Sequence, residues 1–508
     1  MAGRRYRPWE GYWTCAFSHP SGAFDAADFQ GENDVNAVFE DSAVSFYADP
    51  VVRTRLMEFL GEDVAGQTSA VYLTCSDGVQ LDPRMFRLPS EIDWFLGNNL
   101  DIARSLADSA AILMHLDVEY VSFAHPAEAY EDPERAFGLQ EPVVRAIEAQ
   151  LLRWGIKPLH LITGQGHHFV WKIDRDSDLA KRIEALSPTP ELTERCMARV
   201  PPFLQGRITP QMQEVFSGVG LIMEYVAHCV KEEARASCSI PIELTAVHVD
   251  HRGSRRREFI SIDISEYGDP LHTRMVRLPF TNYRKPKLME LTGLLPTGEP
   301  AQTLRAIPLH EMDVQMALKV RRSESEVRDL ARRACVRIPD QTLGSTKLFH
   351  EYMASRLRHF HEYYYSTKHD PVECWPDTYD HTPMDPLPPC VRHIVQNPND
   401  LLLKPAGMQL VARTFLAQGW HPRHIAGYIR SRFEKPEFGW GVNWNDYDTA
   451  TRADFYVRNF IGQYETRLDR LEDYNCASTQ EKGFCCAPED PGCCLLLHYE
   501  SLIERQHR

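Results

Sequence analysis

Residues 111–123 read AILMHLDVEYVSF. Leu116, Val118 and Tyr120 recur at every second position, the pattern of a half-buried strand. The same alternation puts Asp117 and Glu119 together on the other face. Two neighbouring carboxylates repel each other unless something cationic lies between them. A pair of magnesium ions would neutralise them and could also hold a nucleoside triphosphate. A lone Asp-x-Glu is more often a solvated strand face, so the pair needs support from elsewhere in the chain.

That support lies downstream. Val144, Ile147, Leu151 and Trp154 recur at steps of three and four, which predicts a helix over 142–154. Pro142 suits its first turn and Gly155 its end. Residues 159–173, LHLITGQGHHFVWKI, predict a strand pair broken at the glycines. Its centre is Thr163-Gly164-Gln165-Gly166-His167-His168. Glycines let a backbone approach phosphate oxygens, and a threonine hydroxyl and a histidine can add hydrogen bonds. Parity groups His167 with Phe169 and Trp171, and His168 with Lys172, so His168 is the functional candidate. Residues 258–264, EFISIDI, alternate again. Ile260, Ile262 and Ile264 face inward, while Asp263 shares the polar side with Ser261 and Ser265. Arg274, Arg277 and Lys285 follow and could bind a triphosphate. Asp269 is a second candidate for the third acid.

Composition bounds the rest. A chain of 508 residues with 43% hydrophobic and 25% charged residues fits a globular protein of two or three domains. Its formal net charge of −15 argues mildly against a nucleic-acid partner but leaves room for a local basic groove. Apolar runs are too short for a membrane span, and no apolar stretch follows the basic start at Met1–Pro8. The expectation is a cytoplasmic protein. Residues 370–389, DPVECWPDTYDHTPMDPLPP, predict an irregular domain junction. The aromatic-rich stretch Thr342–Thr367 before it predicts a helical connection. After Cys390 the chain predicts mainly helix, with Ile425, Tyr428, Ile429 and Phe433 on one face. Five of the 13 cysteines fall between Cys476 and Cys494, which suits an iron–sulfur cluster or zinc better than disulfides.

Taken in order, Asp-x-Glu on a strand, a helix, Gly-x-Gly-x-His, a strand Asp and Arg-x-x-Arg-x-Pro-x-Thr resemble the archaeo-eukaryotic primase superfamily. The resemblance covers about residues 95–290. It implies an α+β fold whose catalytic core is an RRM-like sheet. It implies Asp117, Glu119 and Asp263 as catalytic ligands of Mg2+ or Mn2+. It implies Thr163, Gly164, Gly166, His168, Arg274, Arg277 and Lys285 as nucleotide-binding residues. Thr163 stands for the family's usual serine, and Gln165 stands where many relatives have a basic residue. No cysteine lies between Cys75 and Cys196, so the zinc knuckle of many small subunits is not expected.

Pro388-Pro389-Cys390, the stretch GMQLVARTFLAQGWHPRHIAGYI at 407–429 and Cys476-x8-Cys485 resemble the C-terminal domain of the primase large subunit. This implies a mainly α-helical domain holding a [4Fe–4S] cluster. Cys390, Cys476 and Cys485 match three ligands. Cys493 is the choice for the fourth, with His498 at a family-like distance, while Cys486 and Cys494 keep that position open. Arg413, Arg423, Arg430 and Arg432 are candidate phosphate contacts. The division expected is 1–94 before the core, 95–320 for the core, 321–385 for the connection and 386–508 for the cluster domain. The function implied is a DNA primase-polymerase, with single-stranded DNA template and NTP or dNTP as partners. A helicase or other replication proteins would join them, and a membrane would not. A gap-filling or lesion-bypass polymerase, a non-catalytic nucleic-acid-binding protein and a zinc-dependent RNA-binding protein are the alternatives.

Overall fold

The computed structural model describes residues 46–76, 85–122, 124–187, 189–245, 258–291, 303–396, 405–435, 448–469, 476–481 and 485. Its strands are β1 (Leu73–Ser76), β2 (Asp101–Ser105), β3 (Ala111–Ser122), β4 (Leu159–Ile162), β5 (Gly166–Asp174) and β6 (Ile242–Glu243), then β7 (Glu258–Asp263), β8 (Met275–Arg277), β9 (Asn282–Tyr283), β10 (Leu304–Arg305) and β11 (Ile307–Pro308). The main sheet runs β11-β4-β5-β3-β7-β6. Its pairs are antiparallel except β6 with β7. A smaller sheet runs β1-β2-β8, and β9 pairs with β10. The fold is mixed α+β.

β3 is the central strand because its inward side chains, Leu116, Val118 and Tyr120, are all buried. It leads through the helix Pro133–Trp154 to β4, which turns directly into β5. The helix Pro210–Ala234 then intervenes before β7. Both helices pack against each other and against β3. Phe137 meets His167 with ring centroids 5.1 Å apart, so the helices cover the face that His167 shares with Phe169. The acidic face is the other one.

The first of these helices starts at Pro133, upstream of the expected start at Pro142. Asp132 accepts a hydrogen bond from the Arg135 N–H, and Pro133 occupies the first turn. Pro142 therefore lies inside the helix and forfeits one backbone bond. Burial of Phe137, Val143, Val144, Ile147, Leu151 and Trp154 holds the helix together despite it.

The expected irregular junction at 370–389 packs more tightly than its composition suggests. It forms the short 3-10 turns Val372–Asp377 and Tyr379–His381, and Trp375, Tyr379 and Leu387 are buried. The described residues after Cys390 are mainly helical, and Ile425, Tyr428 and Ile429 are buried together. They do not form a core of their own. One continuous hydrophobic core runs from Phe46 to Tyr464.

A buried polar network locks the two halves together. Glu224, on the helix Pro210–Ala234, accepts from Arg458 Nε at 2.9 Å and lies 3.2 Å from His361 Nε2. Arg458 also reaches the Tyr365 hydroxyl at 2.6 Å and Asp454 at 3.1 Å. Burial alone would raise the Glu224 carboxyl, but Arg458 and His361 pull it down to about 2. The helix Thr449–Glu465 also lies on the turn Ser265–Gly268, just after Asp263. A Cβ on Gly268 would come within 2.7 Å of the Phe455 ring. Among the described residues, no helix is long and apolar enough to cross a membrane.

Candidate functional site

The register of the main sheet decides the site. Asp117 on β3 stands opposite His168 on β5 and Asp263 on β7. Glu119 stands opposite Gly166 and Ser261. Asp117, His168 and Asp263 thus lie side by side across three strands, on the face away from the helices. His168 Nε2 is 3.4 Å from Asp117 Oδ1, a contact too poorly aligned to satisfy that oxygen. His115, two residues before Asp117, shares the face. Its Nδ1 sits 2.9 and 3.0 Å from the Glu266 carboxylate, and its ring stands edge-on to His168 at 4.8 Å.

The electrostatics of these groups diverge. Burial and the Asp117 charge push the Glu119 carboxyl up to about 7. Burial works on Asp117 too, but His168, His115 and Lys285 hold its carboxyl below the ordinary value. Asp263 is raised, mainly by burial, with Asp117 adding to it against the Ser265 hydrogen bond. Burial would lower the Lys285 ammonium, but Tyr283 and Glu119 raise it. The three acids therefore sit in one field, with Lys285 as a nearby cation.

Asp117 Oδ1, His115 Nε2, His168 Nδ1 and Ser261 Oγ are buried without hydrogen-bond partners. Buried polar atoms are nearly always paired in folded proteins. Four such atoms lie together on this one sheet face. Among the described residues, no three His, Cys, Asp or Glu side chains close on a point as a ready metal cage. Magnesium seldom uses such a cage. It takes one or two carboxylates and completes its shell with water and substrate phosphates. The oxygen donors here fit that kind of binding.

The glycine turn is built differently from its expected form. The Thr163 hydroxyl donates to the Gly166 carbonyl at 3.1 Å, so it is spent inside the turn. A Cβ on Gly164 would fall 2.0 Å from the Tyr283 ring, and one on Gly166 would fall 1.8 Å from the Val118 carbonyl oxygen. Close protein packing requires both glycines. Gln165 Nε2 donates to Glu119 at 2.8 Å, while its Oε1 accepts from the Tyr130 hydroxyl at 2.8 Å. Tyr130 in turn meets the Tyr283 hydroxyl at 3.2 Å.

The basic candidates separate. Lys285 lies in the field of the acids. Arg277 pairs with Asp101 on β2, and its guanidinium lies 4.4 Å over Tyr283, at the margin of the site. Arg274 pairs with Asp269, which Arg452 also binds at 2.7 Å. Asp269 is thus held by two arginines, and Asp263 is the acid beside Asp117. Arg413 pairs with Asp469 and Arg423 with Asp454. Arg430 pairs with Glu434 at 2.8 Å and Glu191 at 2.9 Å, and Arg432 with Asp380 at 3.5 Å. All four are buried, so these expected phosphate contacts are internal ion pairs instead. Cys390 is buried in the helix Pro389–Gln396. Cys476 and Cys485 are half-buried. Cys486, Cys493 and Cys494 lie outside the described residues.

Comparison with family models, curated proteins and solved structures gives no match for this chain.

Proposed function

We propose that the protein is a DNA primase-polymerase of the archaeo-eukaryotic type, a nucleotidyltransferase that copies single-stranded DNA. The observation that carries this reading is the row Asp117, Asp263 and His168 on adjacent strands, with its buried orphan atoms. The spatial order β4-β5-β3-β7, with two helices on one face, supports an RRM-like reading of the sheet.

Asp117, Glu119 and Asp263 would hold Mg2+ or Mn2+, which supplies charge neutralisation around the triphosphate and the attacking hydroxyl. His168 and Lys285 would bind phosphate oxygens. The primer 3′-hydroxyl gives up its proton to solvent as its oxygen bonds to the α-phosphorus, the bond from that phosphorus to the β-phosphate bridge breaks, and pyrophosphate leaves. Gln165 fixes the Glu119 carboxylate through its 2.8 Å hydrogen bond. The test is incorporation on single-stranded DNA, with and without a primer, using ribo- and deoxynucleotides. Products without a primer support the primase reading. Extension of supplied primers alone points to a gap-filling or lesion-bypass polymerase. No incorporation in either case overturns the enzyme and leaves a nucleic-acid-binding protein.

The two histidines should behave oppositely. His167 is buried, with Nδ1 2.9 Å from His160 Nε2, and burial drives its imidazole well below the usual range. His167→Ala should lower the melting temperature and leave nucleotide affinity in the folded fraction. His168→Ala should keep the melting temperature and weaken nucleotide binding about tenfold, the loss of one hydrogen bond to a charged group. Titration calorimetry alongside thermal melting separates the two. The opposite pattern would move the function to His167.

In the C-terminal part we assign a [4Fe–4S] cluster to Cys390, Cys476, Cys485 and, first among three, Cys493, serving initiation more than extension. Anaerobic purification should give brown protein with about four irons per chain. Colourless protein with one zinc would refute it. Cys485→Ser should lose the iron and start new chains poorly while still extending a primer. Equal initiation without iron would refute the role.

A further inference from the structure

Arg321 follows the helix Val314–Val320 and is 1% exposed. Its Nη1 donates to the carbonyls of Thr163 and, at 3.0 Å, of Gly164. Its guanidinium lies 5.0 Å over the Phe137 ring. Nε and Nη2 are buried without partners, and among the described residues no carboxylate pairs with it. Burial and the neighbouring Arg322 lower it to about 10, so it stays charged at neutral pH. A buried cation with no counter-ion is strongly unfavourable unless something answers its charge.

The rest of the turn gives a direction. Gln140 Nε2 donates to the Gln165 carbonyl at 3.1 Å, as does the Tyr120 N–H at 3.3 Å. The Gly166 carbonyl is taken by Thr163. Every carbonyl from 163 to 166 is therefore held by protein. The N–H groups of Gly164 and Gln165 have no partner among the described residues. Two successive amides without a protein partner can both donate to an anion.

We propose that Arg321 is the positioning residue of this turn. It holds the Thr163 and Gly164 carbonyls back, so that the Gly164 and Gln165 N–H groups serve the ligand's phosphate chain, whose charge balances the guanidinium. The proposal rests on the nucleotide reading above and adds a residue to it.

The probes are inorganic tripolyphosphate, ATP and adenosine, each with Mn2+ and titrated into the full chain. Arg321→Gln should weaken tripolyphosphate and ATP about tenfold or more and leave adenosine unchanged, since the lost bonds are charge-assisted. Arg321→Lys, which keeps the charge, should recover part of the loss. Equal weakening of all three probes, or none, overturns the proposal. Hydrogen exchange of the unaltered chain covers the case in which the variants fail to fold. Tripolyphosphate should protect the amides of Gly164 and Gln165. Binding without that protection also overturns it. If the unaltered chain binds neither tripolyphosphate nor ATP, the nucleotide reading itself falls.

Discussion

Asp117→Ala combined with Glu119→Ala is expected to reduce nucleotide incorporation by about a thousandfold or more, the scale for losing the charged groups of a phosphoryl-transfer site. The fold should survive. Both carboxylates are held close together on a buried strand face, and burial with the Asp117 charge already pushes Glu119 up to about 7. Removing them relieves repulsion and leaves Leu116, Val118 and Tyr120 untouched on the core side. Among the described residues, the side-chain hydrogen bond lost at Glu119 is the one from Gln165. The melting temperature should stay within about 3 °C, a change of under ~2 kcal/mol in a chain this long. Single-nucleotide incorporation on primed and unprimed template, with melting curves beside it, checks both halves. Undiminished incorporation by a folded double variant would remove the acids from the mechanism.

Gly166→Ala should do the reverse and damage the scaffold first. The new methyl would sit 1.8 Å from the Val118 carbonyl oxygen, 2.8 Å from its carbon and 3.0 Å from Glu119 Cα. All three are backbone atoms of the central strand, so no rotamer change relieves the clash. β3 and β5 must part, and Asp117 loses its position opposite His168. A loss of about 3 kcal/mol or more is expected, the upper range for overpacking in a rigid site. Gly164→Ala meets the Tyr283 ring instead, a side chain that can swing aside, and should be milder. Denaturant midpoints for the two variants read this directly. A Gly166→Ala chain as stable as the unaltered one would mean that β3 and β5 are not paired in this register.

Period-two alternation made β3, β5 and β7 legible, and it fixed which face Asp117, Glu119, His168 and Asp263 occupy. Parity could have found His115 as well, since it stands two residues before Asp117 on the same strand. Glu266 could not be read this way, because it lies beyond the end of β7 in a 3-10 turn. Strand order could not be read from alternation alone. Nothing local in the sequence says that β3 lies between β5 and β7. Pro142 misled because proline favours a first helical turn, yet Asp132 and Pro133 offered both a cap and a first-turn proline. The arginines Arg413, Arg423, Arg430 and Arg432 read as phosphate contacts because acids that pair with them come from elsewhere, such as Asp380, Asp469 and the distant Glu191. Arg321 was hidden for the same reason: its acceptors lie 158 and 157 residues away.

The packing of the helix Thr449–Glu465 on the turn after Asp263 sets an order of events during synthesis. Phe455 covers Gly268, and Arg452 answers Asp269, so that side of the turn stays uncovered until the ribosome has delivered about 200 more residues. At about 5–20 residues per second this is a wait of roughly 10–40 s. During that interval the nascent sheet carries an uncovered Gly268 and an Asp269 answered by Arg274 alone. A ribosome that stops early releases a chain whose acidic strands exist but whose last supporting helix does not.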